Sequence, residues 1–103
     1  MARALSVARV VVGAGSEGEY LALVRDLASA LRLRGQHLWL FRHPSDAGTF
    51  LEFREGDSAT HTLRAPTEAE SRLAAALRRV AAYDPAAGEL WLEVPLAAAH
   101  EPS

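Results

Sequence analysis

Cysteine is absent from the 103 residues, and with it go disulfides, thiolate nucleophiles and cysteine metal sites. Lysine is absent too, so Schiff-base chemistry is excluded, and all 11 basic residues are arginine. Isoleucine and asparagine are also missing, while alanine, leucine and glycine are plentiful. That composition reads as the codon bias of a GC-rich genome and gives the arginines little functional weight of their own. Charge is not concentrated anywhere: 11 basic and 13 acidic residues leave a net charge of -2, which argues against a nucleic-acid partner. No apolar run reaches the roughly 18 residues of a membrane span. The N-terminus shows no secretory h-region, so the expectation is a soluble cytoplasmic protein with no membrane partner. The histidines form no H-x-H or H-x-x-x-H pair, and neither a metal nor a cofactor is expected. No G-x-S-x-G is present, which leaves hydrolysis without support.

What is present is an ordered series of apolar patterns. Half of the residues are apolar, enough to bury one core, and one domain is expected over residues 1–96 with a flexible tail over 97–103. Leu5–Val12 is strand-like with apolar groups on both faces. Ser16 and Glu19 stand at capping-box spacing before Tyr20, Leu23, Val24, Leu27 and Leu31, an apolar helical stripe that predicts a helix over Ser16–Arg34, stopped at Gly35. His37–Phe41 and Thr49–Glu55 flank a turn-rich segment and read as a hairpin. Thr67 and Glu70 repeat the capping spacing and open a second helix to Tyr83, and Glu89–Val94 is the last strand. The order is β-α-β-β-α-β, the α+β ferredoxin-like sandwich: a four-stranded antiparallel sheet with two helices on one face.

Right-handed crossovers put both helices on the same side of such a sheet. The second strand nonetheless carries Leu38 and Leu40 on one side and His37, Trp39 and Phe41 on the other, and the third opposes Leu51 and Phe53 to Phe50, Glu52 and Arg54. Trp91 adds a further aromatic. A face that no helix covers and that carries large apolar groups predicts a homodimer, with Trp39, Phe41, Phe50 and Glu52 at the contact.

The stretches Val10–Val12 running into Gly15–Leu23, Gly35–Arg42 and Gly48–Arg54 resemble the dimeric α+β-barrel superfamily, especially the antibiotic-biosynthesis-monooxygenase-like proteins, over about Ser6 to Val94. The resemblance implies a homodimer whose sheets face each other as a barrel, with a small-molecule cavity between each sheet and its own helices. Some members of that family oxidise quinols with O₂ and no cofactor, some cleave haem, and some have no known reaction. The chain departs from the pattern at Arg54, where the family often has Trp, and the absence of asparagine disfavours the haem-cleaving branch.

Candidate site residues follow from chemistry. His61 and His37 are the candidate general bases, because imidazole titrates near neutrality and can take a proton from a phenol. Tyr20, Trp39, Arg42, Glu52, Arg54 and Trp91 are the candidate ligand-binding residues. Glu52 and Arg54 are two apart on a strand and share a face, with Trp39 expected beside them; a structural ion pair is the plainer role for both. A pocket for a small aromatic compound is expected between helices and sheet near Tyr20, Val24, Trp39 or Leu40, and Trp91. Gly13-Ala14-Gly15-Ser16-Glu17-Gly18 matches G-x-G-x-x-G. Glu17 beside a pyrophosphate and the missing second βαβ half make a strained turn and capping box the favoured reading. Two functions of different class result: a non-catalytic ligand-binding or dimerisation module, and a cofactor-independent monooxygenase-like enzyme acting on a small aromatic or quinol.

Overall fold

A computed structural model describes residues 3–57 and 64–96. In chain order it holds β1 (Ala4–Val12), α1 (Glu17–Arg32), β2 (His37–Arg42), β3 (Thr49–Gly56), α2 (Glu68–Val80), β4 (Ala81–Tyr83) and β5 (Leu90–Leu92). The strands form one antiparallel sheet in the order β2-β3-β1-β4, with β5 also paired to β1. The architecture is the expected α+β ferredoxin-like sandwich.

The register fixes which side chains share a face. On β1 and β3, Ala8 lies opposite Glu52 and Val10 opposite Phe50, while Leu40 of β2 lies opposite Glu52. Because strand side chains alternate, these residues all point to one side. Tyr20, Val24, Leu27 and Leu31 of α1 and Leu77 of α2 pack there against Ala8, Val10, Val12 and Phe50. Each of the large apolar side chains so buried contributes on the order of 1.5–3 kcal/mol relative to exposure.

Local signals account for the helix ends. Gly35, at φ 77°, adopts the left-handed conformation that a side chain resists; Gly35 N–H and Gln36 N–H then donate to the carbonyls of Arg32 and Leu31. This stop turns the chain inward and buries Gln36. At the start of α2, Thr67 Oγ1 accepts from Glu70 N–H at 3.1 Å, half of the expected capping box.

The start of α1 differs from expectation. A short 3-10 turn over Ala14–Ser16 leads into the helix, and the Ser16 side chain makes no capping bond. Gly13, Gly15 and Gly18 are absent from the left-handed region, and a Cβ at any of them would meet open space. Neither the strained turn nor the capping box is formed there.

The last strand is also corrected. α2 stops at Val80, where Ala81 turns to an extended backbone at φ -146° and ψ 150°. Ala81 and Tyr83 pair opposite Val12 and Val10, a gain that outweighs the helix preference of the alanines. The expected single strand over Glu89–Val94 is instead β5, Leu90–Leu92, at the far end of β1. Between them Asp84 binds the middle of β1: its Oδ2 accepts from Arg9 N–H at 3.2 Å, and its own N–H donates to Arg9 O at 3.1 Å. Oδ1 of the same residue accepts from Ala86 N–H and shapes the turn.

Candidate functional site

Beneath the helices the sheet holds a carboxylate. Glu52, only 5% exposed, accepts hydrogen bonds at its Oε2 from the hydroxyls of Tyr20 and Tyr83, each at 2.6 Å. Residue order explains the convergence: Tyr20 lies on the inner stripe of α1, and Tyr83 is placed two strands away by its pairing with Val10. Burial is the largest influence on both phenols and raises their pKa values well above the ordinary value of 10.0; the bond to Glu52 and its charge push the same way. Each tyrosine is thus a fixed donor and a poor base. Phe50 packs against Tyr20 in a tilted pair, 5.1 Å from ring centre to ring centre.

A second polar group adjoins it. Arg54 Nη2 donates to Gln36 Oε1 at 3.4 Å, and burial presses the guanidinium below its ordinary pKa, opposed by the charges of Glu70 and Glu52. Glu70 is buried and faces Arg34 Nη1 at 3.4 Å, while Arg34 donates to the carbonyls of Ala65 and Arg64, both at 2.9 Å. Arg34 therefore ties the end of α1 to the start of α2. The Glu70 carboxylate, expected to complete the cap at Thr67, serves this ion pair instead.

The side chains proposed from sequence divide between two faces. Tyr20, Glu52 and Arg54 lie on the helix-covered side, but Glu52 and Arg54 bond to Tyr20, Tyr83 and Gln36 rather than to each other. Arg42 belongs to the end of the hairpin, where its guanidinium grips Glu17 through two bonds of 3.1 and 2.8 Å and lies 4.8 Å from the centre of the Phe50 ring. Trp39 and Trp91 are on the opposite, open face, 47% and 57% exposed. Trp39 pairs with Phe53 and so cannot share a face with Glu52 and Arg54 as expected. The same parity corrects the proposed contact: Phe50 and Glu52 are buried beneath the helices, and Leu51, Phe53 and Glu55 are the open-face residues of β3.

His37 is exposed at the start of β2 and stacks on Trp39 at 5.7 Å with 11° between the rings, away from the buried carboxylate. His61 lies outside the described residues. His43 has a structural task, since its Nδ1 accepts from the backbone N–H groups of Ser45 and Asp46, both at 3.0 Å. Gln36, Glu70 and Arg34 were not legible as interior polar groups: Glu70 and Arg34 sit at helix-end positions, and only Gly35 beside Gln36 marks the inward turn.

The expected pocket has moved as well. The space near Tyr20 and Val24 belongs to the packed core. A cleft of about 370 Å³ opens instead on the uncovered face, lined in part by Trp39, Phe53, Glu55 and Trp91. Among the described residues no helix is long and apolar enough to cross a membrane, and no group of three His, Cys, Asp or Glu side chains stands together as a metal site.

Comparison with known proteins bears on the fold. No family model matches the chain, and no curated protein matches it. Solved structures do. SnoaB of Streptomyces nogalater, described as a cofactor-independent oxygenase, superposes with a TM-score of 0.74 at 16% identity, covering 91% of this chain and 93% of its own. A protein described as an antibiotic biosynthesis monooxygenase gives 0.67 at 21% identity, covering 91% and 97%. Rv0793 of Mycobacterium tuberculosis gives 0.69 at 16% identity, covering 92% and 95%. The resemblance to antibiotic-biosynthesis-monooxygenase-like proteins therefore holds at the level of the fold, and any chemistry has to be argued from the side chains.

Proposed function

We propose that the chain is a non-catalytic module that pairs with a second copy through its open sheet face and holds a small aromatic ligand. The observation that carries this reading is the contrast between the two sides of the sheet. Inside, Glu52 is engaged by two phenols and both phenols are bonded to it. A hydroxyl that donates to a carboxylate, with its pKa raised, has no capacity to take a proton from a substrate. Outside, Trp39, Phe41 and Trp91 stand roughly half exposed on a surface that no helix among the described residues covers. Apolar side chains grouped in this way mark a contact surface more often than a solvated one.

Sedimentation equilibrium at micromolar concentration tests the pairing. The expected result is a dimer for the parent chain and a folded monomer for Phe53→Asp, which places a charge in the middle of the open face. A parent chain that sediments as a monomer overturns the reading.

The likeness to SnoaB favours a second reading, a cofactor-independent monooxygenase-like enzyme acting on a quinol. In that reading His37 or His61 removes a proton from the substrate before O₂ reacts. Oxygen uptake in the presence of a quinol, with no added metal or flavin, supports it if the rate falls in His37→Ala or His61→Ala. Uptake no faster than that of the quinol alone rejects it.

A further inference from the structure

We infer that the open-face cleft is a site for a flat aromatic molecule bearing a cation, such as a primary ammonium group. The inference rests on the proposed function and deepens it: the cleft lies on the same sheet face that pairs with a second copy, so in the dimer the ligand is held between the two sheets.

Three observations support it. The cleft, about 370 Å³, has a tryptophan on either side, Trp39 from β2 and Trp91 from β5, with Leu5 of β1 and Phe53 of β3 between them. Such a volume is of the size that holds a small organic ligand, and indole faces attract both flat rings and cations. Second, the charged groups of the lining are unbalanced: Glu55 and Glu93 supply two carboxylates against the single guanidinium of Arg3. Third, one acid of the lining is held in place. The Glu55 side chain is 15% exposed, and its Oε2 is 2.6 Å from Arg3 Nη1, whereas the Arg3 side chain is 62% exposed. The carboxylate is fixed by the sheet and its present counter-ion is largely solvated, so an ammonium group enters by sharing or displacing Arg3. An anionic ligand would instead meet both acids.

The His37 ring stacks against one face of the Trp39 indole and supports it there. Trp91 is placed by the pairing of its residue with Leu5. The site is therefore built on strands rather than loops, although it spans residues 88 positions apart, counting from Arg3 to Trp91.

The experiment uses the full chain and three naphthyl compounds of matched size: 1-naphthylmethylamine, 1-naphthalenemethanol and 1-naphthoate. Affinity is measured by calorimetry, and the indole N–H resonances of the two tryptophans are followed by NMR. The amine is expected to bind at least about five-fold more tightly than the alcohol, with the carboxylate weakest, and to move both indole resonances. Glu55→Gln should remove the advantage of the amine, and Trp91→Ala should weaken all three compounds while keeping the fold. Equal affinity for amine and alcohol, unmoved indoles, or an undiminished preference in Glu55→Gln overturns the inference. Repeating the titration on the Phe53→Asp chain's companion Phe41→Asp, whose substitution lies outside the cleft lining, separates the two proposals. Binding that persists in a monomer supports the cleft whatever becomes of pairing, and a dimer that binds none of the compounds leaves pairing intact and removes the cleft.

Discussion

The two faces of this sheet are made from the same strands and carry opposite solutions to the same problem. On the covered face Ala8, Val10 and Phe50 are sealed under two helices, and the one carboxylate among them is bonded by two tyrosines. On the open face the aromatic groups are larger and the acids, Glu55 and Glu93, answer to an exposed arginine. On the covered face the Glu52 charge has its partners built in; on the open face the counter-ion of Glu55 and Glu93, Arg3, stands next to water and remains available. Polar groups on the first side hold the fold together, and those on the second are free to be exchanged.

The largest expected difference between the faces comes from truncating one phenylalanine on each. Phe50→Ala, under the helices, is expected to cost about 3–5 kcal/mol in urea denaturation, because transfer and cavity terms add. Phe53→Ala, three residues further along the same strand on the other face, is expected to cost about 1 kcal/mol or less in the monomer. Equal losses would mean that the open face is already packed against something within the chain.

Alkaline titration sharpens the contrast from the polar side. Tyr20 and Tyr83 keep their protons in the folded state above the ordinary value of 10.0, whereas the unfolded chain gives them up near it. Stability held in the two bonds to Glu52 is thus fully present below about pH 10 and is lost as pH rises above it. The urea midpoint should fall between about pH 9 and about pH 11, and fall less steeply in Tyr20→Phe. A midpoint that stays level over that interval defeats the account of the buried triad.

The smallest effects belong to the helix starts that border the covered layer. Thr67→Ala removes an observed cap and is expected to cost about 1 kcal/mol, while Ser16→Ala, whose hydroxyl caps nothing, should change stability by less than about 0.5 kcal/mol. Thermal denaturation of both variants distinguishes them, and equal losses would show that the Ser16 hydroxyl caps after all.

Element order, the helical stripes and the hairpin were legible because they rest on local periodicity. The parity of the third strand was not. Leu51 and Phe53 look as fit for a core as Phe50 and Glu52, and only pairing with Tyr20 and Tyr83 makes a glutamate the buried choice. Ala81–Tyr83 hid in the same manner: alanine favours helix, and nothing nearby announces the seat that β1 offers. Glu52 and Arg54, two apart on one strand, do share a face, but it was expected to be the face of Trp39, and their bonding partners, Tyr20, Tyr83 and Gln36, arrive from distant parts of the chain and leave no short-range signal.

The divided outer border of the sheet has a consequence for unwanted assembly. A continuous, flat rim invites a strand from another molecule to add to it, with rows of backbone donors and acceptors as the template. Here the rim beside β1 consists of two three-residue strands separated by a turn, and the gap is filled by a carboxylate that already binds the Arg9 amide. An incoming chain would find too short a run to copy and a negative charge in its path, so this border resists the indefinite stacking that ends in fibrils.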